Sequence, residues 1–212
     1  SNIVFDGTGD YLSIPNSTDW DLNGTGDFTV EFWVRLNDVT DSDQGILSRD
    51  NSGGSGWVIP WQTGGAGFQF QNPGNDVETG TAGFSNDTWY HIAICRDSGT
   101  LDIYKDGVSK ESVANTTDLD ITSTALVIGR FYADTDNYYL DGYLDEIRIS
   151  NTARYTGDFT PQTTQFTADA NTLLLIHSDW DGGLGADSSG NENDFTATNL
   201  VATDQMKDSP TN

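Results

Sequence analysis

An all-β fold of two packed antiparallel sheets follows from three features of the sequence. Apolar and polar residues alternate with period two in run after run, the runs are rich in β-branched and aromatic side chains, and Gly, Asn and Asp bound them. Helical spacing of apolar residues is nearly absent, and the best candidate is a single short turn around 151–155. About eleven or more strands in roughly 190 residues suit a jelly-roll sandwich.

In chain order, the runs at 3–5, 11–14, 27–36, 45–49, 57–61 and 67–71 read as strands, followed by 89–96 and 100–105. Tyr104-Lys105-Asp106-Gly107-Val108 then reads as a tight hairpin, because Asp-Gly supplies the positive φ angles of a type I′ turn, so 100–105 should pair with 108–113. Strands at 125–131, 140–150 and 172–177 complete the set, the last expected with or near the strand at 3–5. No segment repeats at a fixed period. The alternation fades after residue 198, so 1–198 reads as one domain and 199–212 as a linker leaving it.

Composition excludes several functions. The 212 residues carry 33 Asp+Glu against 9 Lys+Arg, a formal charge of −24, which repels nucleic acid and anionic lipid surfaces. Glu occurs only at 31, 78, 111, 146 and 192, so 28 of the acids are Asp, and with 23 Gly the chain favours turns over helices. Cys95 is the single cysteine, so no internal disulfide can form, and its apolar run HIAIC marks it as a buried, unreactive thiol. No apolar run approaches the roughly 20 residues of a membrane helix, and membrane insertion is not expected. His91 and His177 are too few for a histidine-rich zinc cluster and read as structural, and no GxSxG elbow supports a serine hydrolase.

Five segments taken together are more specific. FDGTGDYLSIP at 5–15, FTVEFWVRL at 28–36, WYHIAICRDSGTLDIYKDG at 89–107, ALVIGRF at 125–131 and DGYLDEIRISNTARY at 141–155 resemble, in order, the laminin-G-like, concanavalin A-like lectin jelly rolls. NTLLLIHSDWDGGLGADSSGNENDFTATN at 171–199 resembles the opening of such domains, yet here it follows the rest. It either fills the place of a missing first strand or begins a further module. That order is similar to tandem modules of bacterial-virus tail-fibre and adhesion proteins. The resemblance therefore implies a virion-surface or extracellular adhesin whose partners are a cell-surface glycan or host receptor and other virion subunits.

The same resemblance implies a calcium ion near the DSSGN loop and the L-D-E strand, which maps onto Asp145, Asp187 and Asn191, with Asp179 nearby in sequence. The alternative is that Asp187 and Asn191 cap their own turn. Trp33, Trp57 and Trp89 read as core anchors, whereas Trp61, between Pro60 and the Gly64-Gly65 pair, is a candidate exposed platform; Trp20 and Trp180 stay open between the two roles. Asp50, Asn51, Trp61, Tyr132, Asp134, Asp136 and Tyr138 are the candidate glycan-recognition rim, because sugar C–H faces stack on aromatic rings while Asp and Asn engage hydroxyls. The competing reading of 132–139 is a solvated loop tip. A glycoside hydrolase needs paired carboxylates, and no E-x-D-x-x-E strand is present. A non-catalytic binding module is the expectation, with a purely structural virion module as the alternative.

Overall fold

A computed structural model describes residues 1–22, 24–49, 56–119, 124–133, 136–177, 183–207 and 210. Two antiparallel sheets pack face to face, as the alternation predicts. The first runs through β10 (Val108–Ala114), β9 (Thr100–Lys105), β8 (Trp89–Asp97), β3 (Phe28–Leu36), β14 (Asp141–Ser150), β1 (Asn2–Asp6) and β17 (Gln205–Met206), with β15 (Thr172–Ile176) also on β14. The second runs through β16 (Thr196–Thr198), β2 (Tyr11–Ile14), β11 (Leu126–Ile128), β4 (Gln44–Arg49), β5 (Trp57–Gln62), β6 (Gly67–Phe70) and β7 (Val77–Glu78). β12 (Arg130–Ala133) and β13 (Asp136–Tyr139) form a separate hairpin. No helix among the described residues is long and apolar enough to cross a membrane.

Alternation builds the core. Phe28, Val30, Phe32, Val34 and Leu36 of β3 face Ile46, Trp57, Ile59, Trp61, Phe68 and Phe70 of the opposite sheet within one buried cluster. The β9–β10 hairpin turns at Asp106 (φ +51°) and Gly107 (φ +78°), as its sequence requires. β1 pairs with residues 141–144 of β14 and β15 with 147–150, so 172–176 lies end to end with β1 along one strand edge, near it but not paired to it.

Three expectations need correction. Residues 151–155 form no helix, since the Thr152 carbonyl, the Arg154 N–H and the Tyr155 hydroxyl bond across to β3 instead; the short 3₁₀ turns among the described residues are Thr18–Trp20 and Ala202–Asp204. The run 125–131 breaks at Gly129, which has φ +86° and lies so close to the Phe5 ring that a Cβ there would sit 2.3 Å from it. The chain does not simply leave the domain after 198, because Gln205 and Met206 pair with Ile3 and Asn2 and Leu200 is buried.

The outward face of the first sheet is not solvated, although alternating polar residues there suggest it. Residues 151–171 cross it as a strap, burying Glu31, His91, Cys95, Arg148 and Trp33. Glu31 is the hub. Its Oε1 accepts from Arg148 Nε (2.9 Å) and Nη2 (2.7 Å), and its Oε2 accepts from the Tyr155 hydroxyl (2.7 Å) and lies 3.1 Å from His91 Nε2. Tyr155 stacks on Phe159 at 3.5 Å, and Phe159 N–H donates to the Gly107 carbonyl. Farther along the strap, Phe166 N–H donates to Glu146, whose positive φ at a β14 bulge turns its carboxylate outward.

Burial pushes the Glu31 carboxyl up, but His91, Arg148 and Tyr155 outweigh it and hold the group below its ordinary value of 4.5. A carboxyl lowered by folding contributes stability that is complete above its unfolded value and lost as pH falls through the lower folded one. Glu31→Gln should therefore cost about 3–5 kcal/mol at neutral pH by leaving Arg148 buried without a counter-charge. It should also flatten the loss of stability below about pH 4.5, as read from melting curves across an acid series.

Candidate functional site

The β12–β13 hairpin presents two unlike faces. Its register places Phe131 opposite Tyr138, Arg130 opposite Tyr139, Tyr132 opposite Asn137 and Ala133 opposite Asp136. Directly paired residues share a face, so Phe131 and Tyr138 lie on one side, where their rings stack at 4.8 Å and 11° and Phe131 is buried. Their backbone lies against Gly45 of β4, where a Cβ would come within 2.2 Å of Phe131 N and 2.8 Å of the Tyr138 carbonyl. Only glycine lets the hairpin seat there. The other side therefore carries Arg130, Tyr132, Asn137 and Tyr139 outward.

On this open face Tyr132 is 41% exposed, Asn137 is exposed and Tyr139 is half-buried. The Arg130 guanidinium lies 4.0 Å over the ring of Tyr11, at the start of β2. The face thus offers phenol rings, an amide and a cation, the groups that hold a hydroxylated ring by stacking and hydrogen bonds. Of the residues singled out in sequence, Tyr132 reaches this face. Asp136 is exposed but shares the side of Phe131, and Tyr138 is committed to packing. Asp50, Asn51, Asp134, Asp179 and Trp180 lie outside the described residues. Arg130 and Tyr11 lie outside 132–139 and escape a reading of that segment as a loop; Asn137 and Tyr139 fall within it, and alternation across a second strand at 136–139 is the signal that places them on one face.

Trp61 is a correction. It is fully buried, edge-on to Phe68 and Phe84 at 5.0 Å each. Pro60 and the glycines do not uncover the ring, because Phe84 covers it from the connection before β8. A cleft of about 330 Å³ lies nearby, lined by Val39, Thr40, Thr63, Thr81, Phe84 and Trp61, but the buried indole offers it no open ring face. Trp20 also belongs to the core, against Phe195.

Of the residues mapped for calcium, Asp145, Asp187 and Asn191 are described, and each is engaged in hydrogen bonds of the fold itself. Asp187 Oδ1 accepts from Leu175 N (3.0 Å) and Ser189 N (2.9 Å), and its Oδ2 accepts from Ser189 Oγ (2.6 Å) and Asn193 N (3.0 Å). Four donors saturate the lone pairs that a cation would need. Asn191 turns its amide nitrogen to the Thr172 and Leu173 carbonyls, and Asp145 is fully buried with Oδ1 on Glu146 N. Among the described residues no three His, Cys, Asp or Glu side chains gather to hold a metal. The Asp187 turn is a knot tying 187–193 to β15. The histidines serve carboxylates, His91 at Glu31 and His177 Nδ1 at Glu146 (3.1 Å), and burial pushes the Cys95 thiol up.

Comparison with known proteins agrees with this architecture. A family model described as the concanavalin A-like lectin/glucanases superfamily matches residues 6–158. Among solved structures, a candidate carbohydrate-binding protein of Bacteroides ovatus superposes with a TM-score of 0.69 at 16% identity, over 93% of this chain and 58% of that one. The chain thus spans little more than half of that relative. The carbohydrate-binding module, CBM40, of a Ruminococcus gnavus sialidase, bound to α2,3-sialyllactose, gives 0.54 at 10% identity, over 74% of this chain and 94% of that one. A pentraxin of Limulus polyphemus gives 0.51 at 16% identity, over 73% and 77%. No protein with a curated description matches. At such identities these structures show the fold alone.

Two outcomes follow from the packing. Trp61→Ala should lower stability by about 3–5 kcal/mol, the cost of emptying a core aromatic site, measured by denaturant unfolding. Asp187→Ala should cost about 2 kcal/mol through lost turn hydrogen bonds, and the drop in melting temperature should be the same with and without chelator.

Proposed function

Because the chain belongs to the concanavalin A-like lectin/glucanases superfamily, we propose that it is a non-catalytic carbohydrate-binding module whose ligand lies on the open face of the β12–β13 hairpin. The exposed Tyr132 ring beside Asn137 carries this reading. A sugar's C–H face can cover the phenol while its hydroxyls exchange hydrogen bonds with the amide and with the Tyr139 hydroxyl. The hairpin's rigid seat on Gly45 holds these groups in place before a ligand arrives, which lowers the ordering cost of binding. Two of the fold neighbours, the Bacteroides ovatus protein and the sialidase module, are named for carbohydrate binding, which supports the same assignment.

Hydrolysis has less support, since it needs two accessible carboxylates flanking the scissile bond. The adjacent Asp145 and Glu146 are both buried, with Glu146 tied to Phe166 N and His177. The module's proposed setting is an adhesin, of the kind carried on a bacterial-virus tail fibre, with a cell-surface glycan as partner. The order of its sequence segments supports that setting.

A glycan array identifies ligands, and titration of the best neutral hit then tests the site. Tyr132→Ala should weaken binding about tenfold or more while leaving stability within about 0.5 kcal/mol, and Tyr132→Phe should retain most of the affinity. Unchanged binding by Tyr132→Ala would place the site elsewhere. A chain that binds no glycan on the array would be a structural module.

A further inference from the structure

Two of the six arginines lie over a tyrosine ring at 4.0 Å, Arg35 on Tyr143 and Arg130 on Tyr11, and Arg35 has a further partner besides the ring. Arg49, Arg148 and Arg154 each pair with a carboxylate, Asp21, Glu31 and Asp169 respectively. Arg96 is buried and donates to the Gly24, Gly26 and Thr117 carbonyls. The Arg130 guanidinium lies over Tyr11 and makes no hydrogen bond or ion pair among the described residues. Its surroundings are as distinctive. In a chain with 33 acids against 9 bases, the hairpin side that holds Arg130 otherwise presents Tyr132, Asn137 and Tyr139, while alternation turns Asp136 to the opposite side. A cation thus stands in an aromatic patch to which the hairpin contributes no described carboxylate.

A guanidinium stacked on a ring keeps its N–H edge free, and that edge matches the two oxygens of a carboxylate. We propose that the hairpin face selects sugars bearing a carboxylate, which Arg130 takes through paired N–H···O bonds while Tyr132 carries the sugar ring. The inference rests on the carbohydrate reading of the same face. The charge of −24 does not oppose it at contact range, since physiological salt screens exposed charges beyond about 8 Å. It should slow the approach of such a ligand at low salt. Sialic acids and uronic acids share the required chemistry.

The experiment is calorimetric titration with two matched pairs, sialyllactose against lactose and trigalacturonate against its methyl ester. In at least one pair the acid should bind about tenfold more tightly than its neutral counterpart. Arg130→Gln should abolish that difference, and Arg130→Lys, which keeps the charge but loses the planar fork, should reduce it. The responding pair identifies the sugar acid. Equal binding of acid and neutral partners, or a preference that survives in Arg130→Gln, overturns the inference. Neutral sugars that bind alone, in a manner sensitive to Tyr132→Ala, overturn it while leaving the carbohydrate reading intact. Absence of binding to all four probes and to the array removes the carbohydrate reading itself.

Discussion

The carboxylate of Glu31 sits where no water reaches it, and a buried charge of this kind persists only if every oxygen is engaged. Arg148 from the next strand, His91 from the strand on the other side and Tyr155 from the strap supply that engagement. One side chain thereby couples β3, β8, β14 and the segment 151–171. The strap in turn closes the outward face of the first sheet, where Trp33 packs with Phe166 and Leu175, and Cys95 and Tyr104 with Phe159. The domain consequently has three layers rather than two, and the polar side of β3 belongs to its interior.

The proposed binding face lies elsewhere, on the separate hairpin seated against β4 of the opposite sheet. The crossing from β11 into the hairpin is possible because Gly129 adopts a left-handed conformation against the Phe5 ring. The hairpin then lies down on β4 because Gly45 has no Cβ to hold it away. Two glycines and one stacked pair, Phe131 on Tyr138, decide which alternate residues of 130–139 face outward. The proposed site is thus a consequence of backbone approach as much as of the side chains it displays.

Charge is distributed with the same economy. Arg49, Arg96 and Arg148 are consumed inside the fold, where they satisfy carboxylates and the carbonyls of end loops. Removing these cations from the surface leaves the aspartates to dominate it, which suits a module that must stay dispersed and avoid nonspecific polyanions. Against that background Arg130, half-buried over the ring of Tyr11, is the cation on which ligand choice is proposed to turn.

Period-two alternation, the Asp106-Gly107 turn and five ordered segments were enough, in sequence, to establish an antiparallel sandwich, most strand positions, a buried Cys95 and the family, because these depend on local patterning and local backbone preference. Tyr132 was singled out in sequence as one of three phenols grouped with two carboxylates and an amide over 132–139, and the structure leaves its ring exposed. The burial of Trp61 was not legible, since its covering comes from Phe84 and Phe68, and alternation records the side a residue takes without recording what lies beyond it. The cover of the polar side of β3 is equally absent from a linear pattern, since it arrives from residues more than a hundred positions away. The Asp187 turn was one of two alternatives until its four donors could be named. What tertiary structure alone decided is which faces are covered and which polar groups are already satisfied, because both depend on contacts between segments distant in the chain, and a linear pattern carries no distances.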